Sequence, residues 1–283
     1  MAVRVHYWGA RGSIPAPRAE MALHGGNTSC VELTLSDGTE VILDAGTGIT
    51  DLGRSRKSGS KPVHLLLTHL HLDHIQGLMF FEPLFDPSCE VRVSGPIAFG
   101  GSLLSRLARY ISAPLAPIEI RELPARVSFN DIPTGKWQMG PATVEAAFVN
   151  HRGPTLGFRI TDGDVTIAYI PDHEPALGQS LDESAREWIS GYALARDADL
   201  LIHDAQYTED EYSHRVGWGH SATGDVVSFA RRCGVRRLAL FHHDPLHEDP
   251  AIRSMTQAAQ AELDGAVEEV TAAREGESVE IGA

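Results

Sequence analysis

The segment at residues 68–74, with the sequence Thr-His-Leu-His-Leu-Asp-His, is the most informative part of this chain. It directly follows an apolar run at residues 63–67, which predicts a buried strand. Neutral imidazole nitrogen and carboxylate oxygen are ligands of Zn²⁺ and neighbouring divalent ions. A single tetrahedral ion rarely takes four ligands from one tight turn. The segment therefore predicts a metal centre that can serve two ions.

Histidine or aspartate recurs at the ends of several other short apolar strands. Strand ends in a sheet converge on one edge, so residues that follow different strands can meet there. One such histidine is often only a hydrogen-bonded rim residue, but the repetition predicts a shared site. The residues are His69, His71, Asp73 and His74; Asn150 and His151; Asp172 and His173; His203 and Asp204; and His242, His243 and Asp244, with Gly219-His220-Ser221 in a loop ahead of a predicted helix.

The order of the predicted elements indicates the fold class. Strand-rich halves that are each followed by helices predict an α/β fold, a four-layer αββα sandwich, as a single domain over residues 1–283. Asp44, after the third strand, is predicted to support the metal site. The predicted strands are 3–8, 29–35, 40–43, 143–149, 156–161, 165–170, 200–203 and 237–241, and the predicted helices are 99–110, 184–195, 223–233 and a last helix from Pro250 with Asp249 as its N-cap.

The chain is acidic, with 24 Lys and Arg against 38 Asp and Glu and a formal net charge of −14. Proteins that grip long nucleic acids usually carry a basic footprint, so no long nucleic acid is expected as a partner. No run approaches the ~18 apolar residues of a membrane span, and the N-terminus lacks a signal-peptide core. These features predict a cytoplasmic protein with no membrane partner. The three scattered cysteines predict reduced, mostly buried thiols.

Several motifs together resemble those of the metallo-β-lactamase-fold hydrolases, and within them the ribonuclease Z-like phosphodiesterases. The 69–74 segment is specific for the superfamily. The segments 203–205, 219–221 and 240–245 point to the ribonuclease Z-like branch, and segments 8–13 and 26–30 recur in its small bacterial members. The resemblance extends over essentially the whole chain. It implies a metal-dependent phosphoric diester hydrolase.

The resemblance also implies a ligand set and a mechanism. Two Zn²⁺ ions are the implied cofactors, with Mn²⁺ as an alternative because all the ligands are N or O. Attack by metal-bound hydroxide is implied, with Asp73 as its base and His220, held by Asp204, as proton donor to the leaving group. The family more often has Glu at the position of Asp204. By this resemblance His69, His71 and His151 hold the first metal, Asp73, His74 and His242 hold the second, and Asp172 bridges both.

Two adjacent histidines, His242 and His243, compete for one ligand position. Neighbouring residues of a strand face opposite ways, so only one of them should bind the metal. Alignment with the family's Thr-His pair favours His242. His243 is left as a substrate contact or an exposed residue.

The resemblance implies a small substrate. The tRNA-processing members carry a long arm between the second and third ligand regions, whereas here two strands and a tight turn join His151 to Asp172. Members without the arm act on small phosphodiesters, including cyclic nucleotides. Members of the ribonuclease Z-like branch are often dimers. Arg11 could contact a phosphate and Trp218 could stack on a base. The leading prediction is a cyclic-nucleotide phosphodiesterase that acts as a homodimer. The alternatives are a nucleic-acid 3′-end nuclease, lactonase or thioesterase of the same fold, and a non-catalytic metal-binding module.

Overall fold

Two mixed β-sheets form the centre of the structure, a computed structural model that describes residues 2–56, 61–263 and 265–282. Over these residues each sheet has seven strands. Apolar and β-branched residues dominate the inner strands, as expected for strands that are buried on one or both faces. The strands are β1 (Val3–Gly9), β2 (Cys30–Thr34), β3 (Glu40–Leu43), β4 (Val63–Leu66), β5 (Glu90–Pro96), β6 (Arg126–Ile132), β7 (Gly135–Met139), β8 (Ala142–Phe148), β9 (Leu156–Asp162), β10 (Val165–Ile170), β11 (Leu200–Asp204), β12 (Arg237–Phe241), β13 (Glu269–Ala272) and β14 (Ser278–Ile281).

The helices are mostly short. None of those in the described residues is long and apolar enough to cross a membrane. The α-helices are α1 (Ile49–Ser55), α2 (Leu72–Ile75), α3 (Leu103–Leu107), α4 (Tyr192–Ala195), α5 (Glu209–Tyr212), α6 (Thr223–Cys233) and α7 (Asp249–Glu262), and 3₁₀ turns lie at Ala19–Met21, Leu78–Phe80, Glu82–Phe85, Ile120–Glu122, Leu181–Glu183 and Arg186–Trp188.

The two sheets have a similar plan. The first has the strand order β14-β1-β2-β3-β4-β5-β6 and the second has the order β13-β12-β11-β10-β9-β8-β7. Strands β3 to β6 are parallel in the first sheet, and β10 to β13 are parallel in the second. The predicted antiparallel set, β8 to β10, is present in the second sheet. The carboxyl ends of parallel strands share one edge of a sheet, which is where open α/β sheets bind ligands.

Three apolar clusters show how the layers pack. The first lies between the sheets and brings Leu33 together with Ile167 and Phe241. The second lies between the second sheet and the outer helices and contains Phe229 of α6. The third lies between the first sheet and α1 and α3, and contains Leu52. The predicted αββα sandwich is confirmed. Its three cysteines are free and buried, as predicted.

The predicted helix at residues 99–110 is wrong in extent, because only Leu103–Leu107 is α-helical. Gly100 and Gly101 have φ angles of 96° and 124°, which no helix contains. Ser102 then starts the helix, with its hydroxyl accepting from the amide of Ser105 at 3.3 Å. Residues 184–195 are interrupted in the same way, since Gly191 with φ 73° separates the 3₁₀ turn from α4. The predicted helix at 223–233 is confirmed, and Gly234 ends it with φ 65°.

The last helix begins one residue earlier than predicted, with Glu248 rather than Asp249 as its N-cap. The carboxylate of Asp249 has another task. It accepts from the amides of Leu23 at 2.8 Å and His24 at 3.2 Å, and lies 2.8 Å from Nδ1 of His24. Asp249 therefore fastens the loop after the first 3₁₀ turn, and sequence alone does not reveal such a distant partner.

Asp225, in the first turn of α6, is expected to destabilise the protein at neutral pH. Burial raises its pKa to about 6, with a further contribution from Glu209 and Glu174. Because the folded-state pKa is raised, the stabilisation by the protonated form is complete below the unfolded pKa and is lost as pH rises through about 6. The rise in the pKa of Asp225 corresponds to a destabilisation of the folded state by about 3 kcal/mol at neutral pH. Partial exposure of the carboxylate and its position at a helix N-terminus both reduce this value.

We therefore expect Asp225→Asn to raise the free energy of unfolding by about 1 kcal/mol at about pH 7.5 and by little at about pH 4. Urea titrations at the two pH values measure the difference. An equal gain at both values would contradict the electrostatic explanation.

Candidate metal centre

The seven predicted metal ligands lie together at the edge formed by the strand ends. Their potential ligand atoms form two groups, each with all atoms within 4.8 Å of one another. Asp172 belongs to the first group, and also to a third that includes His220 and His242. The first group is His69, His71, His151 and Asp172, and the second is Asp73, His74 and His242.

In the second group, Nε2 of His74 faces Nε2 of His242. Nδ1 of His74 lies 2.9 Å from Oδ2 of Asp44, and Nδ1 of His242 lies 2.9 Å from Oε1 of Gln206. Both partners are acceptors, so each Nδ1 donates and each Nε2 carries a lone pair in the neutral ring. The two Nε2 atoms are only 3.4 Å apart. Facing lone pairs repel each other, and a cation between them removes the repulsion.

The first group shows the same arrangement. Nδ1 of His151 donates to the carbonyl of Gly219 at 2.7 Å. Nδ1 of His69 lies 3.0 Å from the Thr68 hydroxyl, which donates its own hydrogen to Asp44. Nε2 of His69 is buried and has no hydrogen-bond partner among the described residues. Nε2 of His151 faces Nδ1 of His71 at 3.2 Å. Outer hydrogen bonds that fix the ligand tautomer are typical of metal-binding histidines.

Asp172 lies between the two groups. Its Oδ1 is 3.0 Å from Nε2 of His74 and 3.4 Å from Nε2 of His242. Its Oδ2 is 3.5 Å from Nε2 of His151 and 3.7 Å from Nε2 of His69. Each oxygen thus faces one group of imidazoles. This placement fits a carboxylate shared by two cations.

The electrostatics favour a cation at this position. Burial lowers the pKa of His74, but Asp172, Asp73 and Asp44 outweigh burial and hold that pKa well above its ordinary value. Burial would raise the pKa of Asp73, but His74 and His242 hold it well below its ordinary range. The centre is therefore a buried site of negative potential, which attracts positive charge. The raised pKa of His74 means that a proton can supply this charge; once a metal ion displaces that proton, the converging Nε2 lone pairs fit one or more divalent cations.

Asp44 supports the site from behind, as predicted. Besides His74, its carboxylate accepts from the hydroxyl of Tyr169 at 3.0 Å and from the backbone amide of Thr68 at 2.7 Å. Burial raises the pKa of Tyr169 well above its ordinary value, with Asp44 adding to the shift, so the hydroxyl remains a donor. Tyr169 belongs to the second sheet, whereas Asp44 follows β3 of the first. Asp44 thus connects the two sheets at the metal centre.

His220 lies over this centre, paired with Asp204 as predicted. Its Nδ1 is 2.7 Å from Oδ2 of Asp204, and its ring stacks on His242 with 5.0 Å between the ring centroids. Burial lowers the pKa of His220, but Asp204, Asp172 and Asp73 outweigh it and raise the pKa to about 9. The ring is also 5.0 Å from that of His151. The pair can hold a proton beside the metal groups.

The loop after β1 packs directly on the centre. The amide of Ser13 donates to Oδ2 of Asp73 at 2.7 Å, and a Cβ at Gly12 would overlap the ring of His242. Ser13 has φ 62°, and Asp44 and His242 have φ 62° and 59°. These are three of the five non-glycine residues with positive φ in the described part of the chain. Such strain is concentrated at functional sites because the surroundings hold it in place.

Arg11 lies inside the protein and not on a surface open to substrate, contrary to the expectation that it contacts a phosphate. It is completely buried, and its guanidinium donates to the backbone carbonyls of Gly25 at 2.8 Å, Asp244 at 3.0 Å and His247 at 2.7 Å. It fastens three loops rather than binding phosphate. A sequence shows a basic residue in a loop but not the carbonyls that will surround it.

The sequence interpretation also missed two residues, Gln206 and Glu174. Gln206 holds the tautomer of His242 from the loop after β11. Glu174 binds the loop that carries His220. Both follow predicted His/Asp strand ends closely. That position was the only signal available in the sequence.

His242 and His243 face opposite ways. Only His242 points into the metal centre, whereas Nε2 of the buried His243 donates to the carbonyl of Ala273 at 3.0 Å. The expectation that His243 contacts substrate or is exposed is therefore wrong.

We expect His243→Ala to leave the metal content unchanged and to lower the free energy of unfolding by about 1–3 kcal/mol, because a buried carbonyl loses its donor. Elemental analysis and urea denaturation measure the two effects. Loss of one metal ion would reverse the choice of His242 over His243.

The chain matches the family model of the beta-lactamase superfamily domain over residues 39–243. Because the match covers well over half of its length, the chain belongs to the beta-lactamase superfamily. It is similar to the ribonuclease Z of Haloarcula marismortui, with 24% identity over 94% of this chain and 94% of that protein.

Solved structures show the same fold. The metallo-β-lactamase-fold protein YhfI from Bacillus subtilis has a TM-score of 0.70 and 19% identity, with 99% of both chains covered. Zn²⁺-bound PqqB from Methylobacterium extorquens has a TM-score of 0.69 and 16% identity, with 98% of this chain and 99% of that chain covered. The predicted resemblance to ribonuclease Z-like hydrolases of the metallo-β-lactamase fold is confirmed. The predicted enzyme class, a metal-dependent phosphoric diester hydrolase, is confirmed with it.

Proposed function

We propose that this protein is a dinuclear metal-dependent phosphodiesterase and that its substrate is a cyclic nucleotide. One observation carries the proposal. The two oxygens of Asp172 face two separate groups of imidazole nitrogens, and His220 lies beside both groups. A carboxylate between two cation sites with a proton donor next to them suits cleavage of a phosphodiester.

The ligand groups define which residues would hold the ions. Zn²⁺ suits this set of imidazoles and carboxylates, and Mn²⁺ accepts the same donors. When bound, two such ions polarise a phosphoryl group and lower the pKa of coordinated water. We propose His69, His71 and His151 as ligands of one ion, Asp73, His74 and His242 as ligands of the other, and Asp172 as a ligand of both.

The remaining chemistry belongs to three side chains. Asp73, whose Oδ2 is fixed by the amide of Ser13, orients the attacking water and accepts its proton. His220 gives a proton from Nε2 to the oxygen of the leaving group. Asp204 holds Nδ1 of His220 and thereby sets the direction of Nε2.

The size and charge of the molecule support a small substrate. Between His151 and Asp172 the chain forms only β9, β10 and their turn, so no long arm extends there. The net charge of −14 disfavours a long nucleic acid. Trp218, two residues before His220, is 53% exposed and offers a flat surface on which a base can stack. A cyclic nucleotide is compact, so it requires neither a long arm nor an extended basic groove.

We further propose that residues 1–283 form one domain and that the protein is a cytoplasmic homodimer. The cluster of apolar residues shared by both sheets supports the single domain. The resemblance to the ribonuclease Z-like branch supports the proposed cytoplasmic location and the proposed homodimer. Sedimentation equilibrium tests the dimer.

The decisive experiment is hydrolysis of a substrate panel by the metal-loaded protein, with Asp73→Ala as the control. The panel contains 2′,3′- and 3′,5′-cyclic mononucleotides, bis(p-nitrophenyl) phosphate, a tRNA precursor, a lactone and a thioester. We expect turnover of a cyclic mononucleotide and of the synthetic diester. Cleavage of only the tRNA precursor, the lactone or the thioester would overturn the proposed substrate.

A further inference from the structure

Glu174 is a buried carboxylate whose hydrogen bonds are concentrated on one loop. It lies two residues after Asp172, and its side chain is completely buried. Its Oε1 accepts from the hydroxyl of Tyr212 at 2.8 Å and from the amide of Gly217 at 2.7 Å. Its Oε2 accepts from the amide of Gly219 at 2.7 Å. A buried carboxylate is costly unless hydrogen bonds satisfy it, and here two of the three come from one turn.

The turn at residues 217–219 has no side chain that could fix its shape from within. Gly217 and Gly219 have φ angles of 82° and 94°, on either side of the exposed Trp218. Glycine populates these angles readily, but it also populates many others. Hydrogen bonds from outside must therefore select the conformation. Glu174 supplies an acceptor to the amide of each glycine.

This turn carries two parts of the centre. The carbonyl of Gly219 accepts from Nδ1 of His151 at 2.7 Å, and His220 is the next residue along the chain. The ring of His220 lies between those of His151 and His242, at 5.0 Å from each. A small movement of the turn would shift Nε2 of His220. Misplacement of a reacting group by about 1 Å can cost about 100-fold in rate.

We propose that Glu174 is a positioning residue for proton donation: its carboxylate holds the 217–219 turn and thereby aims His220 at the leaving oxygen. This inference rests on the proposed function, and in particular on the role of His220. The inference gives a function to the buried carboxylate of Glu174, which contacts no reacting group. It also explains why a carboxylate, with an acceptor for each of two amides, is buried at this point.

The test compares two substrates that differ in their need for a proton. The alkoxide that leaves a cyclic nucleotide needs protonation, whereas p-nitrophenolate leaves bis(p-nitrophenyl) phosphate without it. In Glu174→Gln, an NH₂ group replaces one acceptor oxygen, so one glycine amide loses its partner. We expect turnover of the cyclic nucleotide to fall about 10- to 100-fold, with little change for the synthetic diester and with metal content unchanged.

Two further variants serve as a positive and a negative control. His220→Ala should show the same dependence on the leaving group. Glu209→Gln is the matched control, because the exposed Glu209 also accepts from a glycine amide, that of Gly224 at 2.6 Å, but does not contact the 217–219 turn. It should change neither substrate by more than about twofold. Equal losses on both substrates in Glu174→Gln, or loss of metal, would overturn the positioning role.

A crystal structure of Glu174→Gln gives a readout that does not depend on turnover. We expect the contact of 2.7 Å between Nδ1 of His220 and Oδ2 of Asp204 to be broken or disordered. An unchanged turn with this contact intact would overturn the inference. Failure of the wild-type protein to cleave either diester would instead overturn the proposed function. If Glu174→Gln does not fold, Glu174→Asp keeps the charge but cannot reach both amides, and the same substrate comparison applies.

Discussion

Asp73→Ala should abolish hydrolysis and remove one of two metal ions. Oδ2 of Asp73 lies 3.1 Å from Nε2 of His242 and 3.4 Å from Nε2 of His74, within the second ligand group. Its removal would take away a proposed ligand of the second ion and the group proposed to orient the attacking water. Because both losses act on the same step, turnover should fall by at least about 1000-fold. Steady-state kinetics and elemental analysis measure the two effects.

The control for this variant is Asp182→Ala, which removes a carboxylate whose side chain is 65% exposed and which belongs to none of the ligand groups. It should retain full activity and both metals. If Asp73→Ala turned over substrate at a near wild-type rate, the dinuclear mechanism would be wrong.

His220→Ala should lower turnover of the cyclic nucleotide about 100- to 10,000-fold while both metals remain bound. The reason is geometric. Asp204 occupies Nδ1 at 2.7 Å, so Nε2 is the ring atom left for the leaving group. Asp172 is more distant, with 4.0 Å between its Oδ2 and Nδ1 of His220. Kinetics and elemental analysis of the same preparation provide the measurement.

His214→Ala is the matched control, since His214 is an exposed histidine in the same loop region. It should change neither turnover nor metal content. His220, His242 and Asp172 form a third group of closely spaced ligand atoms. A fall in metal content in His220→Ala would therefore mean that His220 is a ligand and not a proton donor.

The metal groups could be predicted from sequence because their residues follow strands. A buried strand is visible as an apolar run, and its end fixes where the next side chains lie. The segment at 69–74, Asp172 and His242 all obey this rule. Opposite directions for His242 and His243 are expected from the alternation of strand faces. The choice of His242 over His243 comes from the resemblance to the family's Thr-His pair.

Contacts between loops could not be predicted in this way. Arg11, Glu174 and Gln206 act through partners that the chain reaches only after folding. The helices predicted at 99–110 and 184–195 include Gly100, Gly101 and Gly191, whereas the α-helices of the structure begin after these glycines. At these positions the backbone adopts positive φ, which overrides the pattern of apolar residues.

The link that Asp44 makes between Tyr169 and His74 gives metal supply an effect on the lifetime of the protein. Cations that bind the folded state and not the unfolded chain add their binding free energy to folding. Here each group of proposed ligands draws residues from both sheets, and Asp44 adds a further link between them. A cell short of metal would open the sandwich more often and expose it to proteases. The amount of this protein, and not only its turnover, would then follow the metal content of the cell.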